Sequence, residues 1–155
     1  NRGSIFEKPT SVKRGRFLMF GSGDTLYHPL YIDNLVDAFE LTGRRPGRGE
    51  VYLIGDAQYY SLNDLVRAVA TSMDIQVRIH HLPFAPLWIA AATCEAICKP
   101  LSIEPPLFRR RADWFRQNRA FRIDSARRAL GYKPQVDLAT GLTRTARWYR
   151  QHGYL

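Results

Sequence analysis

Eight tyrosines stand in this chain, and none has a lysine four positions later. A general-base tyrosine–lysine pair at that spacing is therefore absent. Gly21-Ser22-Gly23 offers two glycines of a phosphate-cradling loop, but position 26 is Leu and no strand-to-helix cradle follows, so a turn is the better reading. No G-x-S-x-G elbow occurs, which argues against a serine hydrolase. His80 and His81 are adjacent, so on a strand they point to opposite faces and cannot share a metal. His28 is isolated and reads as a hydrogen-bonded structural histidine. Cys94 and Cys98 lie four apart in a helical stretch, a spacing that suits neither a disulfide framework nor a zinc site, and they read as small apolar residues. No carboxylate pair has a spacing suited to acid–base work. The chain thus carries residues that could bind, and no set that could react.

The elements that would position these residues follow from periodicity and punctuation. Phe17–Phe20 reads as a short strand, and the glycines at 21 and 23 as a turn. Ile32, Leu35, Val36 and Phe39 repeat as an amphipathic helix closed by Gly43, and Arg44–Gly49 reads as a loop. Val51–Gly55 is a continuous apolar run between turn residues, the pattern of a strand buried on both faces. Ser61 caps a helix whose face is Leu62, Leu65, Val66, Val69, Ala70 and Met73. Val77 and Ile79 alternate with Arg78 and His80 as a half-exposed strand. Residues 84–98 form an apolar helix closed by Pro100, and Leu107–Asn118 a basic one. Phe121–Ile123 is extended. Asp124 caps a short helix that ends at Gly131. Asp137 caps the last helix, with Leu138, Leu142, Thr145, Trp148 and Tyr149 as its stripe and Gly153 as its stop. Residues 2–14 are mixed, with Pro9 interrupting any long helix.

With 155 residues the chain is one ordinary domain by length, able to bury roughly 70% of its unfolded surface. An apolar content of 45% argues against disorder. Twenty-three Lys and Arg against fourteen Asp and Glu give a net charge of +9, which favours anionic partners. The arginines are dispersed, with one tight run at Arg109–Arg111, so a solvated basic face outweighs a nucleic-acid surface. The apolar stretch Leu82–Cys94 is too short for a spanning helix, which needs about 20 residues. It reads as a buried helix, with a membrane-surface contact as the alternative. There is no signal-peptide pattern, and the absence of an initiator Met fits a trimmed chain.

Two separated segments carry a resemblance: "YHPLYIDNLVDAF" at 27–39 and "FRIDSARRALGYKP" at 121–134. With "GEVYLIGDAQYYSLNDLVRAV" between them and "LATGLTRTARWYRQHG" after, they occur in the order and near the spacing of the C-terminal half of the extended short-chain dehydrogenase/reductases, the NAD-dependent epimerase/dehydratase family. The resemblance covers most of residues 15–153. It implies an α/β chain: the C-terminal part of a Rossmann-type enzyme, with one sheet strand at about 51–55 and a small, mostly helical α+β substrate-binding lobe, forming a single unit over 1–155.

In such enzymes the N-terminal half binds NAD or NADP and supplies the catalytic Ser/Thr, Tyr and Lys. No catalytic residue and no bound cofactor are therefore expected in this chain. The resemblance places substrate contacts at Phe20, Gly21, Tyr27, His28 and Arg111. Tyr27 occupies the position where sugar-nucleotide members carry an arginine that grips the diphosphate, a role for which a guanidinium is suited and a phenol is not. That departure, with the 83–100 helix and "FRRRADWFRQNRAFRID", is closer to the branch resembling 3β-hydroxysteroid dehydrogenases and dihydroflavonol reductases. Trp88 and Trp114 could line a pocket for a bulkier alcohol or ketone. The two cysteines read as thiols of a reducing compartment, so a cytoplasmic protein is expected, with no transmembrane segment and no nucleic-acid partner; without the rest of the sheet the edge at 51–55 is unpaired, and self-association through it is expected. A basic nucleic-acid-binding or interaction module remains the rival reading.

Overall fold

A computed structural model describes residues 15–45, 49–100 and 103–154, without the Arg111 side chain. The readings for residues 2–14 and for Pro46 and Gly47 lie outside the described residues. Two small sheets form the frame. Strand β1 (Arg16–Phe20) pairs in parallel with β4 (Arg78–Leu82), in a register that sets Arg16 beside Arg78 and Phe20 beside Leu82. Parallel neighbours need a long crossover. Here it contains β2 (Leu26–Tyr27), α1 (Ile32–Gly43), β3 (Tyr60–Ser61) and α2 (Leu62–Ser72). β2 and β3 pair antiparallel. After β4 come α3 (Phe84–Cys98), the single turn α4 (Arg109–Ala112), a 3₁₀ turn at Asp113–Phe115, α5 (Asp124–Leu130) and α6 (Leu138–Gln151).

Local signals place the helix ends. The Ser61 hydroxyl accepts from the Asp64 amide at 3.1 Å, and an Asp137 carboxylate oxygen accepts from the Thr140 amide at 2.8 Å, so α2 and α6 begin at the expected caps. Gly131 stops α5 at φ +69°, where a side chain would be strained. Asp124 departs from expectation. It is the first residue of α5 and its carboxylate pairs with Arg122 at 2.6 Å, so it leaves the helix amides uncapped. The expected basic helix over 107–118 is cut short. The Trp114 and Phe115 carbonyls accept from the Tyr27 and Thr25 hydroxyls, so the chain turns onto β2.

The core gathers Ala38, Ile123, Ala126, Leu130 and Tyr132, with Leu41, Tyr52, Ile54 and Phe121 packed against it. Helix α1 forms as its periodicity requires but presents a different side inward. Asn34 and Ala38 are buried, while Ile32, Val36 and Phe39 are exposed, Phe39 at 67%. Hydrogen bonding sets that rotation, because Asn34 makes four hydrogen bonds inside, to Asp56, Gln135 and Val136. Helix α3 also forms where expected, yet only Ala91 is buried in it. The last helix buries Gly141 and Ala146 rather than its larger stripe, and Gly141 lies so close to Tyr31 that an added Cβ would fall 2.7 Å from the ring.

The run 51–55 has no ladder among the described residues. Tyr52 and Ile54 pack on the core, whereas Val51 is 87% and Leu53 55% exposed. This is the two-residue alternation of extended chain with one apolar face covered. A strand exists by pairing, and no described segment runs beside this one to supply the partner.

Candidate functional site

The segment 25–28 and the segment 113–121 run together. The Thr25 hydroxyl donates to the Phe115 carbonyl at 2.6 Å, the Leu26 amide to Asn118 Oδ1 at 2.9 Å, and the Arg119 amide to the Leu26 carbonyl at 2.6 Å. A parallel bridge joins Tyr27 to Arg119. These bonds assemble an aromatic wall. The Tyr27 ring stacks on Trp114 with centroids 6.2 Å apart, its hydroxyl donating to the Trp114 carbonyl, and Phe20 meets Phe115 edge-on at 5.7 Å. The Arg119 guanidinium lies 3.6 Å from the centre of the Trp114 ring, close enough for a strong cation–π contact. Burial raises the Tyr27 pKa, and the Arg119 charge offsets part of that rise, so the phenol stays neutral and donates.

The five residues expected to bind are placed as follows. Phe20 and Tyr27 belong to this wall. Gly21 adjoins it at the end of β1, where its amide donates to the Leu82 carbonyl at 2.8 Å, its φ is +88° and nothing lies within 4 Å of the side-chain position. His28 has both ring nitrogens against main-chain carbonyls, Phe121 at 3.0 Å and Asp56 at 2.9 Å, and its ring tilts on Phe121 at 4.7 Å. Both neighbours are acceptors, so a ring with one N–H donates to one of them at a time, and in either tautomer it sits between three segments. Arg111 lies in α4, and its side chain is outside the described residues. Trp114 sits in the wall, whereas Trp88 is in α3 beneath Arg109, whose guanidinium is 5.9 Å from its ring. Arg119 escaped the sequence reading. Its signal was the interleaving of aromatic and basic residues in Trp114-Phe115-Arg116-Gln117-Asn118-Arg119, which places a cation beside an aromatic plane only once the chain turns.

An added Cβ at Gly23 would fall 2.4–2.7 Å from the Asn63 side chain, whose amide donates to the Ser22 carbonyl at 2.8 Å. The Gly23 end of the turn is therefore packed against the side chain of Asn63 from α2. Among the described residues no group of three His, Cys, Asp or Glu could hold a metal ion, and no helix is long and apolar enough to cross a membrane.

No protein-family model matches the chain. Curated relatives do. The chain is 32% identical over 122 residues to the decarboxylating sterol-4-alpha-carboxylate 3-dehydrogenase of Schizosaccharomyces pombe, covering 78% of this chain and 34% of that protein. It is 28% identical over 140 residues to the 2-alkyl-3-oxoalkanoate reductase of Stenotrophomonas maltophilia, covering 86% and 42%. Among solved structures, gox2253 superposes with a TM-score of 0.70 at 24% identity, over 91% of this chain and 41% of that one. The UDP-glucuronic acid 4-epimerase of Bacillus cereus, solved with UDP-glucuronic acid and NAD, superposes at 0.58 and 19% identity, over 92% and 38%. The mixed α/β fold is that of the C-terminal portion of Rossmann-type epimerase/dehydratase chains. By sequence and fold the chain is a relative of the NAD-dependent epimerases/dehydratases and of 3β-hydroxysteroid-dehydrogenase-like short-chain dehydrogenases. It spans less than half the length of the relatives it matches.

Proposed function

We propose that this chain is the substrate-binding portion of an NAD(P)-dependent oxidoreductase acting on a hydroxyl or ketone carbon, and that its substrate is a bulky apolar 3-hydroxy- or 3-oxocarboxylate. The observation that carries this reading is the wall of Phe20, Tyr27, Trp114 and Phe115 with one cation, Arg119, laid on it. Aromatic faces suit an apolar body, and a single guanidinium pairs bidentately with a single carboxylate. The names of two relatives support it. A sterol-4-carboxylate oxidised at C3 and a 2-alkyl-3-oxoalkanoate both carry the reacting oxygen two carbons from a carboxylate carbon.

The nicotinamide cofactor would supply or accept hydride, and its site belongs to sequence beyond these residues. The chain contributes position and exclusion of water. Stacking on Tyr27 and Trp114 would hold the apolar body, and Arg119 would fix the carboxylate and hence the orientation of the carbon beside it. The exposed apolar faces of α1 and of 51–55 would be covered by the nucleotide-binding half or, in its absence, by a second copy. A nucleotide sugar is the second reading, favoured by the likeness to the UDP-glucuronic acid 4-epimerase. Tyr27 in place of a phosphate-gripping arginine counts against it.

Calorimetric titration tests the choice. A 2-alkyl-3-oxoalkanoate of long chain is expected to bind, its methyl ester about ten-fold more weakly, and Arg119→Ala to remove that difference. Tighter binding of UDP-glucuronic acid than of the carboxylate would overturn the reading.

A further inference from the structure

Two thiols close the covered stripe of α3. Phe84, Leu87, Cys94 and Cys98 are half-buried around the buried Ala91, at the three- and four-residue steps of a single helix face. Both cysteines are free. Four residues apart on a helix, their Cβ atoms are about 5–6 Å from each other, beyond the roughly 3.5–4.5 Å that a disulfide spans. The pair therefore cannot close on itself while the helix is intact. The thiols do meet through a proton: burial first, and then a hydrogen bond shared with the Cys94 thiol, raise the Cys98 pKa.

That separation suits a bridge through one atom. A metal–thiolate bond is about 2.3 Å long, so two in line set their sulfurs about 4.6 Å apart. No further ligand stands beside the pair. Among the described residues no group of three His, Cys, Asp or Glu could hold a metal ion. Glu95, the carboxylate next to Cys94 in the chain, has one oxygen on the Arg109 amide at 2.6 Å and the other on Arg109 Nε at 2.8 Å. Zinc takes four ligands, and calcium and magnesium take oxygens, so two sulfurs serve none of them. Soft thiolates select copper(I) among the common metals, and two of them complete a linear coordination.

We propose that Cys94 and Cys98 form a two-coordinate site for a soft monovalent ion, copper(I), which bridges the last turn of α3. Uptake replaces both S–H bonds with S–Cu bonds and releases two protons. One cation and two neutral thiols thus become a bis-thiolate complex of charge −1 and two protons, with no change of oxidation state. The site is separate from the aromatic wall, and the inference is independent of the substrate reading.

Anaerobic competition against a chromophoric Cu(I) chelator tests it. The protein is expected to withdraw one equivalent of Cu(I), with two sulfur neighbours and no nitrogen in the X-ray absorption spectrum. Cys94→Ser and Cys98→Ser should each weaken uptake by more than about 100-fold, beyond the loss that a residue outside the ligand set causes. Cu(I) should also raise the urea midpoint of the unaltered chain and leave that of Cys94→Ala/Cys98→Ala where it was, a comparison that holds even where the substitutions lower stability. Zn(II) should produce no such rise. No uptake, uptake retained in either single variant, one ion per two chains, or Zn(II) held as tightly as Cu(I) would each overturn the inference.

Discussion

The side-chain amide of Asn34 donates to a carboxylate oxygen of Asp56 at 2.7 Å, and both residues are buried. The same nitrogen donates to the Val136 carbonyl at 2.8 Å, and the Asn34 oxygen accepts from the amides of Gln135 and Val136 at 2.9 and 3.0 Å. Asp56 accepts in addition from the Tyr31 amide at 3.0 Å. One side chain thus ties α1 to the 55–57 turn and to the entry of α6. A buried amide with every bond made contributes modestly, but removing it strands its partners. Asn34→Leu is expected to destabilise the chain by about 3 kcal/mol, read as a lowered urea midpoint at constant slope. An unchanged midpoint would refute this role.

Gly55 and His28 meet at a distance that excludes any side chain. A Cβ at Gly55 would lie 2.7–2.8 Å from the imidazole, which is wedged between the Phe121 and Asp56 carbonyls and packs on the Phe121 ring. Gly55→Ala should cost about 2 kcal/mol. In a double-mutant cycle with His28→Ala, most of that cost should disappear, because the second change removes the obstacle. Additive effects would mean that backbone conformation, not the ring, demands glycine.

Tyr132 is buried with its hydroxyl donating to the Gly55 carbonyl at 3.0 Å. Burial first, then the nearby carboxylates of Asp56 and Asp37, push its pKa up to about 12. The unfolded chain releases this proton near pH 10, so the folded state binds more protons between the two values. Stability from this group is therefore complete below about pH 10 and falls from there toward 12. Denaturation midpoints across this window should decline, and Tyr132→Phe should flatten the decline while losing about 1 kcal/mol at neutral pH.

Asp137 gives the opposite sign. The Thr140 amide and hydroxyl hold its carboxyl below the usual range. Its contribution is present above the unfolded value, about 3.9, and is lost as pH falls through the lower folded value. Asp137→Ala should remove that part of the acid sensitivity and fray the first turn of α6, seen as faster hydrogen exchange at Thr140.

Features settled within a few residues were legible in the sequence. The Ser61 and Asp137 caps, the Gly131 stop and the extents of α1 and α3 depend on neighbours three or four positions away. The faces of those helices were not legible. The inward side of α1 is set by Asn34, whose partners lie at 56, 135 and 136, and in isolation a helical asparagine reads as solvated. The aromatic wall was half legible: Phe20, Tyr27 and Trp114 came from a resemblance and from residue type. Arg119 joins them because hydroxyls from Thr25 and Tyr27 capture the carbonyls of 114 and 115 and break the helix expected there. The 51–55 run carries a strand's composition without a strand's partner, since composition reports burial preference and pairing depends on what lies alongside.

Hydride transfer by this chain alone tests the central claim most directly. Incubated with NADH or NADPH and a long-chain 2-alkyl-3-oxoalkanoate, it should bind the carboxylate and leave the absorbance of the reduced nicotinamide unchanged. Steady oxidation of the cofactor by the purified 155-residue polypeptide would contradict a substrate-binding portion whose reactive groups lie elsewhere.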